Sequence, residues 1–117
     1  MIEGIYEMRI INDPALSDYR GTVILQGGHY CATNLYRETS YGTYRLDGIR
    51  YTSIGHHWRL QEFDGGLWCE MKFWAAWSAE GEWLPQKKQI HVFSFPSYNP
   101  NLRVELLATQ LQAFGDA

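Results

Sequence analysis

Four histidines, His29, His56, His57 and His91, are the side chains of this chain best suited to chemistry near neutral pH, as metal ligands or as general bases. Their spacing argues against one shared ion. His56 and His57 are adjacent, and adjacent strand residues point to opposite faces, so the two could hold one metal only across a bulge. No HxH or HExxH pattern occurs, and no metal is expected. His57 or His56 as a general base is the better use of an imidazole, set against the ordinary role of a strand histidine as a hydrogen-bonded structural residue. Glu70 and Lys72 alternate with Trp68 and Trp74, which reads as a solvated strand face rather than an acid–base pair. Cys31 and Cys69 lie far apart without CxxC spacing, so they read as free, mostly buried thiols of a reducing compartment. GxSxG, P-loop and GxGxxG patterns are absent, and no cofactor is expected.

The totals limit what could position these residues. A length of 117 residues suits one domain, here 1–117, and 45% hydrophobic content suffices for a core. Ten basic against thirteen acidic residues give a net charge of −3, the wrong sign for a phosphate-binding surface. Beyond Lys87-Lys88 the basic residues are scattered, so direct nucleic-acid binding is not expected. No basic-then-apolar leader pattern opens the chain, and no apolar run approaches the ~20 residues of a membrane span. A cytoplasmic protein is the simplest expectation. Five Trp, eight Tyr and five Phe supply large buried area and side chains suited to binding surfaces.

Strand signals run from end to end. Residues 4–11 place Tyr6, Met8 and Ile10 on one face, and NDPALSDYRG follows as a loop. Residues 21–26 lead through Gly27-Gly28, a hairpin signal, into 29–36. SYGTYRLDGIRYT (40–52) alternates on both sides of Asp47-Gly48, its second arm running to about Leu60. LWCEMKFWAAW (67–77) follows FDGG, and SAEGE reads as a turn before the strand at 88–95. After PSYNPN, residues 102–112 read as a strand, although Leu107 and Leu111 also fit a helical spacing. Eight strands joined by hairpin turns predict an all-β protein, an eight-stranded antiparallel up-and-down barrel or a flattened relative. Closure removes exposed edges, and eight strands enclose an interior that side chains fill or that holds one small ligand.

Two hairpins decide what faces inward. With Asp47-Gly48 as a two-residue turn, Leu46 pairs with Ile49 and Tyr44 with Tyr51, so these four face the interior. The next hairpin admits two registers. A three-residue DGG loop sets Arg59 opposite Met71 and His57 opposite Phe73, both inside. A four-residue FDGG loop sets Trp58 opposite Met71 and Leu60 opposite Cys69, and needs a slip in alternation that a bulge at Gly55 could supply. The second is favoured, because an inward Arg and His need partners the first does not obviously provide. In either register Trp68 and Trp74 share a face, a candidate partner surface unless the C-terminal segment covers it.

From this arrangement Tyr44, Tyr51, Trp58, Met71, Phe73 and Phe93 are the candidates to line a ligand pocket, with a fully packed core as the alternative. The first register instead creates an anion site at His57 and Arg59. With Tyr51 these could converge on a small organic acid in a cofactor-free lyase or isomerase.

Gly4-Ile5-Tyr6, Val23-Ile24-Leu25 before Gly27-Gly28, Gly42-Thr43-Tyr44 and Asp47-Gly48 together give the N-terminal half a resemblance to the GrlR family of type III secretion regulators. The resemblance implies a lipocalin-like eight-stranded barrel that dimerises, has a cavity able to hold an apolar ligand, and binds a protein partner. The acidic run through which the known regulator grips its activator has no counterpart, since the matching YRETSYG holds Glu38 as its only acid. The expected protein is therefore a homodimeric binding barrel, taking an apolar small molecule inside, a protein partner on its surface, or both.

Overall fold

The computed structural model describes residues 1–16, 20–34, 38–62 and 69–115, with backbone only at 34, 38, 58–62 and 69–75. Eight strands follow one another around a closed antiparallel barrel: β1 (Gly4–Ile10), β2 (Gly21–Gln26), β3 (His29–Asn34), β4 (Glu38–Asp47), β5 (Arg50–Glu62), β6 (Cys69–Leu84), β7 (Gln89–Pro96) and β8 (Val104–Ala113). Each strand pairs with its sequence neighbours, and β1 pairs with β8 to close the ring. The expected all-β, up-and-down barrel is the observed one. Among the described residues the one helical element is a 3-10 turn, Pro14–Leu16, and no helix is long and apolar enough to cross a membrane.

Turn chemistry sets the registers. Gln26 pairs with His29, leaving Gly27 and Gly28 as a two-residue turn with φ of 61° and 80°, a conformation that favours glycine. The β4–β5 turn is displaced from the expected position. Asp47 pairs with Arg50, so Gly48 (φ 62°) and Ile49 form the turn, Leu46 faces Tyr51 and Tyr44 faces Ser53. A displacement of this kind preserves the faces, because the side-chain period is two. Tyr44, Leu46 and Tyr51 keep the interior side, whereas Ile49 stands 52% exposed at the tip rather than inside.

Two expectations about β6 are corrected. SAEGE is not a turn: β6 runs through it to Leu84, and the chain reverses at 85–88. Gly81 is the reason the segment resembled a turn, yet it lies in the strand opposite Tyr51 on β5 and Val92 on β7. The β5–β6 register matches neither alternative, since Glu62 pairs with Cys69, Leu60 with Met71 and Arg59 with Lys72. The slip falls between His57 and Trp58, whose partners are Ala75 and Phe73. The extra residue is therefore Trp74 on β6, and β5 passes Gly55 without a break in its pairing with β4.

β8 settles as a strand. Its pairing with β1 skips Leu111, since Ile5 pairs with Gln112 and Tyr6 with Gln110. This bulge leaves Leu111 66% exposed and turns the Gln110 amide inward, where it donates to Tyr6 Oη at 3.2 Å and to the Met1 carbonyl at 2.9 Å. Tyr6 in turn donates to the Ile2 carbonyl. These bonds tie the chain's beginning to its last strand.

Packing is concentrated at the end of the barrel that carries the β2–β3, β4–β5 and β6–β7 turns. Ile2, Tyr6, Leu25, Tyr51, Trp83 and Ile90 are buried there, with Tyr44 and Leu46 packed against them. Tyr6 meets Trp83 edge-on at 6.3 Å, and Tyr44 stacks on Tyr51 at 5.8 Å.

Candidate functional site

A cavity of about 330 Å³ opens beyond the packed layer, at the lower end of the range for small-molecule sites. One wall is apolar: Met8 and Ile10 from β1, Val23 from β2, Ile90 and Val92 from β7, and Val104, Leu106 and Ala108 from β8. Strict alternation puts them there, since each takes the inward position of its strand. Leu16 joins this wall from the β1–β2 connection. Asp13 holds the turn that carries it, accepting from the Ala15 and Leu16 amides at 3.0 Å each through its side chain and its carbonyl. Asn12 fastens the same connection to β8, donating to the Arg103 carbonyl at 3.2 Å and accepting from the Glu105 amide at 3.1 Å.

The opposite wall, on β3, β4 and β5, is polar. Tyr30, Ser40, Ser53 and His57 line it, and Ser40 and His57 are direct cross-strand partners. Tyr30 Oη and Ser40 Oγ share a hydrogen bond of 3.1 Å. Glycine makes room for the phenol. Gly42 pairs with both Tyr30 and Gly55, and a Cβ at Gly55 would overlap the Tyr30 hydroxyl and the Tyr41 carbonyl oxygen. Burial raises the Tyr30 phenol above its ordinary value, against the lowering effect of the Ser40 bond. Burial likewise raises Tyr51, opposed by its hydrogen bond with Ser53. Both phenols stay neutral at physiological pH and act as hydrogen-bonding groups.

Trp77 bridges the two walls. It pairs with Gly55, and its ring lies 5.6 Å from the His57 imidazole at a tilt of 41°. Its Nε1–H is buried and meets no acceptor among the described residues. Ser94 donates across the rim to the Ser78 carbonyl at 3.3 Å.

Of the expected pocket residues, Tyr51 lines the cavity. Tyr44 lies one layer deeper, in the packed end against Tyr51. Phe93 is a correction: Ile90 and Val92 take the inward positions of β7, so Phe93 falls on the outer face beside His91, at 5.6 Å between rings. The side chains of Trp58, Met71, Phe73, Arg59 and Trp74, and all of Trp68, lie outside the described residues. His57 is inward, against the favoured register, because the bulge sits on β6 and leaves the alternation of β5 intact. His56 is outward and exposed, paired with Tyr41. Cys31, expected to be buried, is exposed, because its neighbours Tyr30 and Ala32 take the inward positions. Among the described residues no group of three or more His, Cys, Asp or Glu gathers to hold a metal.

Sequence reasoning missed Trp77 and the wall of β8. The alternation Trp77, Ala79, Gly81, Trp83 was legible, but the SAEGE segment read as a turn hid it.

Fold and site together define a class, a closed eight-stranded antiparallel barrel with a packed layer toward one end and, among the described residues, a cavity beyond it. No protein-family model, curated protein or solved structure matches the chain.

Proposed function

We propose that this protein binds a small, predominantly apolar molecule inside the barrel, in the manner of lipocalin-like barrels. The observation that carries the reading is the cavity itself. About 330 Å³ of interior would hold roughly eleven waters at ~30 Å³ each, yet one whole wall offers them aliphatic side chains. An apolar ligand displacing that water gains about 25 cal/mol per Å² of apolar surface removed from solvent. Native mass spectrometry of the purified protein, followed by denaturing extraction, tests it. A stoichiometric small molecule is the expected result. Failure of every apolar compound in a diverse set to bind would refute it.

Self-association is a second reading, favoured by the outer face of β2–β5. Ile24, Cys31, Tyr41 and His56 form one cross-strand row there, with Ile24, Tyr41 and the nearby Ile54 exposed. The row carries no carboxylate, lysine or arginine, so a second copy meets it without like charges opposed. Sedimentation velocity of the wild type and of Ile54→Asp tests it, a dimer reduced to monomer by the substitution being expected.

A further inference from the structure

Resting on the proposed binding of an apolar molecule, one piece of the cavity wall bears on how such a molecule enters and leaves. We infer that the Pro14–Leu16 turn of the β1–β2 connection is a lid on the cavity, with Leu16 its stopper and the Asn12 side chain its latch on β8.

Among the described residues Leu16 is the one side chain lining the cavity that no strand supplies. Residues 11–15 leading to it are all exposed, and Leu16 is only partly so. The turn thus commits a single side chain to the interior. The other described lining residues sit in strands paired on both sides, so moving any of them means opening the ladder of the barrel. The turn is held differently. Its own bonds are internal, the Ala15 and Leu16 amides donating to the Asp13 side chain and carbonyl, so it can move as one piece. Among the described residues no hydrogen bond joins Pro14, Ala15 or Leu16 to a strand. Attachment to β8 comes just before the turn. The Ile11 amide donates to the Glu105 carbonyl at 2.9 Å and continues the β1–β8 ladder. The Asn12 side chain adds the exposed bonds to the Arg103 carbonyl and from the Glu105 amide. Releasing those two frees the turn to carry Leu16 out of the wall while every strand stays paired. Solvent-exposed bonds with few buried contacts are the first to open locally, and lids are drawn from such segments.

The readout is stopped-flow fluorescence of N-phenyl-1-naphthylamine, an uncharged probe that brightens in apolar surroundings. The latch is the same whether the cavity is empty or filled, so breaking it raises the open fraction of both states alike. Asn12→Ala should therefore speed association and dissociation together, each about five- to tenfold, with Kd within about twofold of wild type. Gln110→Ala loosens the β1–β8 seam away from the turn and should leave both rates within about twofold of wild type. Faster dissociation alone in Asn12→Ala, or no change in either rate, overturns the lid and makes Leu16 a fixed part of the wall. Equal acceleration by Gln110→Ala overturns it too, since the probe then passes where strands part. Both of these results leave apolar binding standing, whereas a wild type that leaves the probe dark fails the proposed binding and takes the lid with it. Should Asn12→Ala not fold, Leu16→Ala decides: faster association supports the lid, and unchanged association with faster dissociation refutes it.

Discussion

Replacing Gly55 with alanine tests how the polar wall is built. The new Cβ would overlap the Tyr30 hydroxyl and the Tyr41 carbonyl oxygen and lie 2.9 Å from Tyr30 Cζ, so the phenol must leave its place over the strand. Overpacking of this kind costs roughly 1–3 kcal/mol. Loss of the Tyr30–Ser40 hydrogen bond adds about 1 kcal/mol. Alanine restricts the unfolded chain and returns about 0.4–1 kcal/mol. The net is a destabilisation of about 2 kcal/mol. At roughly 2.1 cal/mol/K of unfolding entropy per residue this lowers Tm by about 8 °C in a chain of 117 residues. Urea melts of the wild type, Gly55→Ala, Tyr30→Phe and the pair measure both the loss and its coupling. Tyr30→Phe removes the overlapping hydroxyl, so in the alanine background it should recover about 1 kcal/mol, the conflict with the Tyr41 carbonyl persisting. A Gly55→Ala protein within about 0.5 kcal/mol of wild type, or a coupling near zero, would mean that Tyr30 does not rest on Gly55, and the account of the polar wall would be wrong.

Alkaline pH should unfold the barrel. Burial raises the phenols of Tyr6, Tyr30, Tyr44 and Tyr51 above their ordinary value of 10.0. Folding then favours the protonated forms, so their contribution is fully present below pH 10 and is lost as pH rises through the folded values, at up to about 1.4 kcal/mol per pH unit for the buried Tyr51 and less for the partly solvated Tyr44. Urea melts at a series of pH values should show stability falling above pH 10 less steeply in Tyr51→Phe than in the wild type; equal slopes would contradict it. Tyr6→Phe removes the bond to the Ile2 carbonyl and the acceptor for Gln110, and should cost about 1–2 kcal/mol in a urea melt, with faster amide exchange at the β1–β8 seam. The outer pair of His91 Nε2 and Glu105 Oε2, at 2.5 Å, is partly exposed to solvent, and Glu105→Gln should cost about 1 kcal/mol or less.

Strand count, order and the inward faces of β1 and β4 were legible because they rest on alternation and on glycine turns, both local signals. Tyr6, Met8 and Ile10 faced the interior as the pattern required, with Tyr6 fully buried. What the sequence concealed were places where two strands negotiate a register. The β4–β5 turn sits one residue later than the Asp-Gly pair suggested, since either position keeps Tyr44 and Tyr51 on the same face. The bulge at Trp74 belongs to β6 although Gly55 on β5 was the residue that invited one. Gly55 answers to a different demand, the approach of a phenol from two strands away, which no local pattern encodes. His57 followed from that misplacement. Phe93 shows the opposite failure, an aromatic assigned to the interior by its type when Ile90 and Val92 had already claimed that face.

Closure by β8 bears on how the chain is made. β8 is the last of the barrel's strands to be synthesised, and it hydrogen-bonds to β1 on one side and β7 on the other. Until residue 113 has emerged, the first strand has no second neighbour and the Gln110 amide has not reached Tyr6. At about 5–20 residues per second the growing chain spends roughly 5–20 s as an open curl with two unsatisfied edges. Those edges are templates for pairing with another nascent chain. The same seam that leaves the finished barrel edgeless makes its assembly on the ribosome a race between completion and aggregation. A truncation ending before Val104 should therefore be found with chaperones or in inclusion bodies rather than as a smaller soluble sheet.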